Sequence, residues 1–346
     1  MRKIFLVVLT ATLLVQHAWA REQLVRGKVL EVFENVFVVG ILDGIHKQKK
    51  VKIFRRDRDD TMEISPSKGD RIMVLQMEKP SGDFEFFVQD FQHTRGLAFF
   101  GILFLVVFVL VARENAVRAL LTLALSFGVI FWWLLPAAEQ SEFLFLKTLL
   151  ACAGISLVTL LILLGFSRKS VGAILGTMAG VATAAGFTVL IGCFAKITGL
   201  GEENIRILLI NFPDVDVRGI IFSGIVLSAL GATMDTAVSV ASTVCEVAKN
   251  SKKKFKKLFR SGMNVGCDIL GSMINTLVFA FTGGAFAMLV LFSTANDLSL
   301  AEVLNYEFVA HDVMMALTGS FGLVATVPAT ALLAAFLESF PRKQKS

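Results

Sequence analysis

The chain has 346 residues, of which 55% are hydrophobic and only 18% charged, and its mean hydropathy is +0.70. That composition lies far outside the range of soluble globular proteins and implies several membrane spans. A net charge of +6 does not mark a nucleic-acid binder here, because the basic residues gather in short segments between apolar runs, the pattern that orients a membrane protein.

Residues 1–20 read as a cleaved signal peptide. Arg2 and Lys3 precede the apolar run Ile4 to Val15, and Ala18-Trp19-Ala20 supplies a small-x-small cleavage pattern. An uncleaved anchor of the same residues leaves the later topology unchanged. Residues 21–95 are polar, with short alternating runs ("VRGKVLEVF", "KKVKIF", "DRIMVLQM", "FEFFVQDF") separated by turn material at "SPSKGD" and "KPSGD". This predicts a small extracytoplasmic β domain, barrel-like, of four to six strands. Its cluster "KQKKVKIFRRDRDD" interleaves both signs and reads as a solvated strand pair.

From Gly96 on, the apolar segments reach the length of roughly 20 residues that a helix needs to cross ~30 Å of hydrocarbon. Spans are expected near 96–112, 117–136, 143–165, 171–193, 219–241, 264–292 and 313–338. The fold class is therefore a polytopic α-helical membrane protein of about seven spans with a small N-terminal β domain outside the membrane. The sixth span is interrupted at Thr282-Gly283-Gly284 and is expected to be a helix followed by a bent or re-entrant half.

Alternate connections carry Arg113 and Arg118, Arg168 and Lys169, the run "KNSKKKFKKLFR", and a tail at 339–346 with Arg342, Lys343 and Lys345. These are assigned to the cytoplasm. The intervening connections are acidic, with Glu139, Glu142, "GEENIRILLINFPDVDVR", Asp297, Glu302, Glu307 and Asp312. The expected location is the plasma (inner) membrane, with the β domain outside and the C-terminus inside. Cys152, Cys193, Cys245 and Cys267 all fall in apolar segments and read as small buried side chains, although Cys245 and Cys267 flank one hairpin. Gly172, Gly176 and Gly180 share one face of the fourth span and let another backbone approach closely.

At 100° per residue, Asp235, Ser239, Ser242 and Glu246 share a face of the fifth span, and Asn264, Asp268, Gly271 and Asn275 repeat that spacing on the sixth. Consecutive antiparallel helices with two such stripes can face each other, which places Asp235 near the depth of Asn275 and Glu246 near Asn264. An ionised carboxylate in hydrocarbon costs about 2.5–3.5 kcal/mol even on the lenient insertion scale. No Lys or Arg lies at this depth, since Arg118, Lys147, Arg168, Lys169, Lys196 and Arg218 sit at span ends. Asp235 is therefore expected to be protonated, to hold a cation, or to sit in a hydrated cavity. The alternative is a structural hydrogen-bonding role toward the serines and Asn275. Glu246 and Asp268 lie near the cytoplasmic boundary, where interface contacts or the lysine run account for them equally well.

In "LSALGATMDTAVSVASTVCEV", "LFRSGMNVGCDILGSMINTLVFAFTGG" and "GSFGLVATVPAT" the chain resembles the YibE/F family of bacterial multi-pass membrane proteins, over most of residues 96–340. The resemblance implies a membrane protein with an exported N-terminal domain and no assigned activity. It departs at Cys267, where the family's motif has an arginine, so a pairing of that arginine with a carboxylate is absent here. The order of a span with Asp235, a basic loop, a span with polar residues and a Gly/Pro-rich last span more weakly resembles the membrane half of SecD/SecF and related proton-driven RND proteins.

Two functions follow as expectations. In the first, a proton- or cation-coupled transporter or export component uses Asp235, with Ser239, Ser242 and Asn275 supplying neutral groups and Asn264, Asp268 and Glu246 toward the inner mouth. Gly283, Gly284 and Pro328 are its candidate hinges. In the second, a non-transporting scaffold or envelope accessory factor binds a partner through the β domain. An aspartyl intramembrane protease is disfavoured, because Asp235 and Asp268 differ in depth by roughly 9 Å at ~1.5 Å per residue. No catalytic set, cofactor motif or metal spacing is present. The lipid bilayer is the expected partner, with a homo-oligomer or second membrane subunit left open and no nucleic acid.

Overall fold

The computed structural model describes residues 22–33, 36–44, 46–54, 65–78, 84–140, 143–250, 254–294 and 299–340. The expected signal peptide, most of the expected C-terminal tail, Glu142 and Asp297 lie outside the described residues. The chain divides after Val111 into two compact units.

The first unit holds five antiparallel strands, β1 (Glu22–Phe33), β2 (Val36–Ile41), β3 (Lys50–Phe54), β4 (Arg71–Glu78) and β5 (Phe84–Phe91), in the order β3-β2-β1-β4-β5. Long β1 pairs on one side with β2, from Gly27↔Ile41 to Phe33↔Val36, and on the other with β4, from Glu22↔Met77 to Lys28↔Arg71. The run β4-β1-β2-β3 is a Greek key, and β3 and β5 approach across the open side to leave a half-barrel. A bulge between Val29 and Glu31 bends β1 so that one strand serves both halves. Alternation puts Val25, Val29, Phe37, Val39, Ile41, Ile53, Ile72 and Val74 inside. Gly27 belongs to the same inward set, and a Cβ there would collide with Val39. The unit ends in α1 (Thr94–Ala112), which has no buried residue and no polar side chain after Arg95.

The second unit is helical: α2 (Glu114–Val129), a π turn (Ile130–Leu134), α3 (Leu135–Gln140), α4 (Leu144–Leu164), α5 (Arg168–Phe194), α6 (Glu203–Asn211), α7 (Val217–Asn250), α8 (Phe255–Gly284), α9 (Phe286–Thr294), α10 (Leu300–Leu304) and α11 (Glu307–Ser339). Seven helices among the described residues are long and apolar enough to cross a membrane. The π turn has a local cause. Pro136 has no N–H for the carbonyl of Trp132, and the ladder widens just before it, so that the Leu135 N–H reaches Ile130.

Helices α5, α7 and α11 form the core, with α4 against α5 and α7, α8 against α11 and α7, and α2 against α4. Small residues make the core possible. Gly172 lies against Ala334, Gly176 against Thr330, and Gly180 against Thr326 and Thr233, so α5 and α11 approach almost backbone to backbone. Five buried threonines satisfy themselves, Thr177, Thr188, Thr233, Thr318 and Thr326 each donating to the carbonyl four residues back, whereas the buried hydroxyls of Thr236 and Thr330 have no hydrogen-bond partner among the described residues.

The connections fall at two ends of this unit. At one end the Arg168 guanidinium donates to the carbonyls of Leu337 (2.9 Å) and Phe340 (2.7 Å), closing the C-terminal turn of α11. At the other, the Glu307 carboxylate accepts from the Thr198 and Gly199 backbone N–H groups and from the Thr198 hydroxyl, and His311 Nδ1 meets Glu202 at 2.7 Å.

Several boundaries differ from those expected of apolar length alone. α7 runs to Asn250 instead of ending near 241, and α8 begins at Phe255 instead of near 264, because the amphipathic flanks continue the helical period past the apolar stretch. The sixth span is interrupted where Gly283-Gly284 suggested, with Ala285 separating α8 from α9. The segment between the fourth and fifth spans holds a helix of its own, α6.

Candidate functional site

The site is assembled on α7 and α8. Ala229, Thr233, Thr236, Ala237, Val240, Ala241, Val244 and Ala248 are buried and turn one side of α7 to the core. Asp235 and Glu246 are exposed on the other side, with Ser239 and Ser242 half-buried between them. The Ser239 hydroxyl donates to the carbonyl of Asp235 (2.9 Å) and that of Ser242 to Val238 (2.5 Å). Both hydroxyl protons are thus committed within the helix, and the oxygens keep their lone pairs for an incoming donor or cation.

On α8 the buried residues are Leu258, Gly262, Gly266 and Leu277. Gly262 lies against Val244 and Ala331, and Gly266 against Val327, so α8 seats its glycine side in the groove between α7 and α11. Asn264, Cys267, Asp268, Gly271, Ser272 and Asn275 are all exposed. The two helices therefore meet through the glycine side, and no hydrogen bond joins the two polar stripes among the described residues. Counting nine residues away from the Val244–Gly262 contact along each helix puts Asp235 level with Gly271, one turn from Asn275 and one from Asp268. The sequence-based register is shifted by about one turn, which brings Asp235 and Asp268 closer in depth than the ~9 Å expected.

Among the described residues, neither the Asp235 nor the Asp268 carboxylate has a hydrogen-bond or ion-pair partner. Glu246 differs: Lys249 lies 3.0 Å from it and the Asn250 amide donates to it at 3.2 Å. It also borders a cleft of about 340 Å³ lined by Lys169, Ser242, Thr243, Cys245 and Lys249. Beside that cleft the structure contains a residue the sequence reading missed. Glu338 of α11 is only 3% exposed, the one carboxylate buried to that degree among the described residues, and it accepts from the Cys245 thiol at 3.7 Å. Nothing in the local sequence singles out a carboxylate at the end of an apolar segment, and only the packing of α11 against α7 reveals its burial.

Gly283 and Gly284 close α8, and nothing would crowd a side chain at either. Pro328 lies inside continuous α11 and removes the N–H that the Val324 carbonyl would accept. All four cysteines are free, and only Cys152 is fully buried; Cys193 and Cys267 are exposed on outward helix faces, correcting the expectation that all four are buried. No group of three or more His, Cys, Asp or Glu side chains is arranged to hold a metal ion among the described residues.

No curated protein and no solved structure matches the chain. A family model described as YibE/F-like protein matches residues 100–339, which takes in more than two thirds of the sequence and every helix that builds the site. The chain belongs to the YibE/F-like family of membrane proteins.

Proposed function

We propose that this protein is a proton- or cation-coupled transporter or export component in which Asp235 takes up and releases the coupling ion. The observation that carries the reading is an unpartnered aspartate well inside a membrane-length helix, flanked one and two turns on by Ser239 and Ser242, whose oxygens are free to accept. Intramembrane carboxylates are costly and recur on ion and proton pathways. Asp268, Asn264 and Asn275 line the adjoining face of α8, and Glu246 with the cleft beside Lys169 and Cys245 forms the mouth at the basic end. Gly283, Gly284 and Pro328 are the positions where α8 and α11 flex, and the basic end faces the cytoplasm.

The test is ion flux in liposomes, with internal pH read by a trapped dye under an imposed proton or sodium gradient. Wild-type protein is expected to dissipate the gradient, and Asp235→Asn to abolish flux while keeping wild-type abundance and thermal stability. Flux unchanged in Asp235→Asn overturns the assignment. It would then favour the scaffold reading, in which deletion of residues 21–90 and not Asp235→Asn abolishes the cellular role.

A further inference from the structure

A carboxylate at membrane depth needs protein, water or a counter-charge on every side. Asp235, Ser239, Asn264, Asp268, Gly271 and Asn275 face outward from the helical unit, while α4, α5 and α11 cover the opposite sides of the same two helices. Among the described residues no cationic side chain lies at this depth. Arg118, Lys147, Arg168, Lys169, Arg218 and Lys249 all lie at span ends, and α1 has no polar side chain from Gly96 to Ala112.

We propose that this face docks a transmembrane helix of a second, non-identical subunit carrying a lysine or arginine at the depth of Asp235. Charge decides against a second copy of this chain. A two-fold axis along the membrane normal sets each residue at the depth of its own counterpart, so Asp235 and Asp268 would meet carboxylates and no cation. Like charges brought together across an interface cost several kcal/mol, whereas a cation at that depth neutralises the face. Gly231 on α7 and Gly271 on α8 are exposed with no atom near their missing Cβ, which leaves room for a helix backbone to come close. The inference concerns assembly and does not depend on transport.

Two synthetic single-span helices of leucine and alanine, identical except for a central Lys or Leu and each dansyl-labelled, test it with the full-length protein in phosphatidylcholine vesicles. Energy transfer from Trp132 and Trp133 reports association. The lysine helix is expected to bind at least tenfold more tightly than the leucine helix, and Asp235→Asn to remove that preference. Asp268→Asn is the second variant should Asp235→Asn lose its thermal transition. Equal binding of the two helices, or a lysine preference that survives in both variants, overturns the proposal. So does rapid oxidative Cys267–Cys267 cross-linking between copies at high lipid dilution, which shows that a second copy covers the face. Lysine-selective binding without ion flux leaves the partner assignment standing and removes only the transport reading.

Discussion

At Gly176 the absence of a side chain is what lets α5 reach α11: a Cβ there would overlap the hydroxyl and Cβ of Thr330 and come within 3.0 Å of its Cα. The neighbour is backbone and a β-branched side chain, neither of which can swing away. Gly176→Ala is expected to cost about 1–3 kcal/mol as overpacking, read as a lowered thermal midpoint in detergent. Gly186, ten residues further along α5, faces outward with open space around it, so Gly186→Ala leaves the midpoint essentially unchanged or raises it slightly. The four-residue glycine spacing was legible in the sequence, and so was the isolation of Asp235, because both depend only on period and composition. Glu338 was not, since whether a span-end carboxylate meets water or a neighbouring helix is decided by residues nearly a hundred positions away, here Cys245.

At the level of elements, long apolar helices announce themselves, whereas the direction each one faces does not. From spacing alone the two polar stripes are expected to face each other. The core is instead closed by Gly, Ala and Thr, which pack more closely than larger polar side chains allow, and the polar stripes are left outside. Short α10 shows the opposite case, an element set by local chemistry alone. Ser299 and Glu302 form a reciprocal capping box, with the Ser299 N–H donating to Glu302 at 2.7 Å and the Glu302 N–H to the Ser299 hydroxyl at 3.3 Å. The backbone N–H of Ser299 holds the Glu302 carboxyl below the usual carboxylate range. A depressed folded value means that the cap contributes fully above the ordinary glutamate pKa and is lost as pH falls through the folded value. The protection of α10 amides against hydrogen exchange, taken relative to the intrinsic rate at each pH, is expected to hold at neutral pH and to fall under acid. Ser299→Ala should show the reduced protection already at neutral pH.

For the whole molecule, the grouping of connections into two ends is a testable statement about sidedness. Arg168 meets the end of α11 at one end, and Glu202 meets His311 at the other. With the basic end in the cytoplasm, Glu139→Cys labels with a membrane-impermeant maleimide in intact spheroplasts, and Lys254→Cys labels only after permeabilisation. Native Cys193 and Cys267 are replaced by Ser in both to clear the background. The reverse pattern inverts the topology. The expected sidedness rests on the alternation of basic and acidic connections, a count that needs no knowledge of packing.

The strand order of the β domain bears on how it is made. β1 emerges first and lies at the centre of the finished sheet, yet its partners are separated in time: β2 follows at once, whereas β4 pairs Met77 with Glu22, fifty-five residues later. Until β4 arrives, one whole side of a twelve-residue strand is an unpaired edge, open to pairing with another chain. Closing it is a long-range event, slower than any local hairpin. Only two residues separate β5 from α1, so the last strand needed to complete the sheet reaches its place as the first long apolar helix follows it. The half-barrel's vulnerable interval is thus bounded by synthesis of its own neighbour. Slowing elongation between residues 42 and 70 lengthens that interval without altering the product.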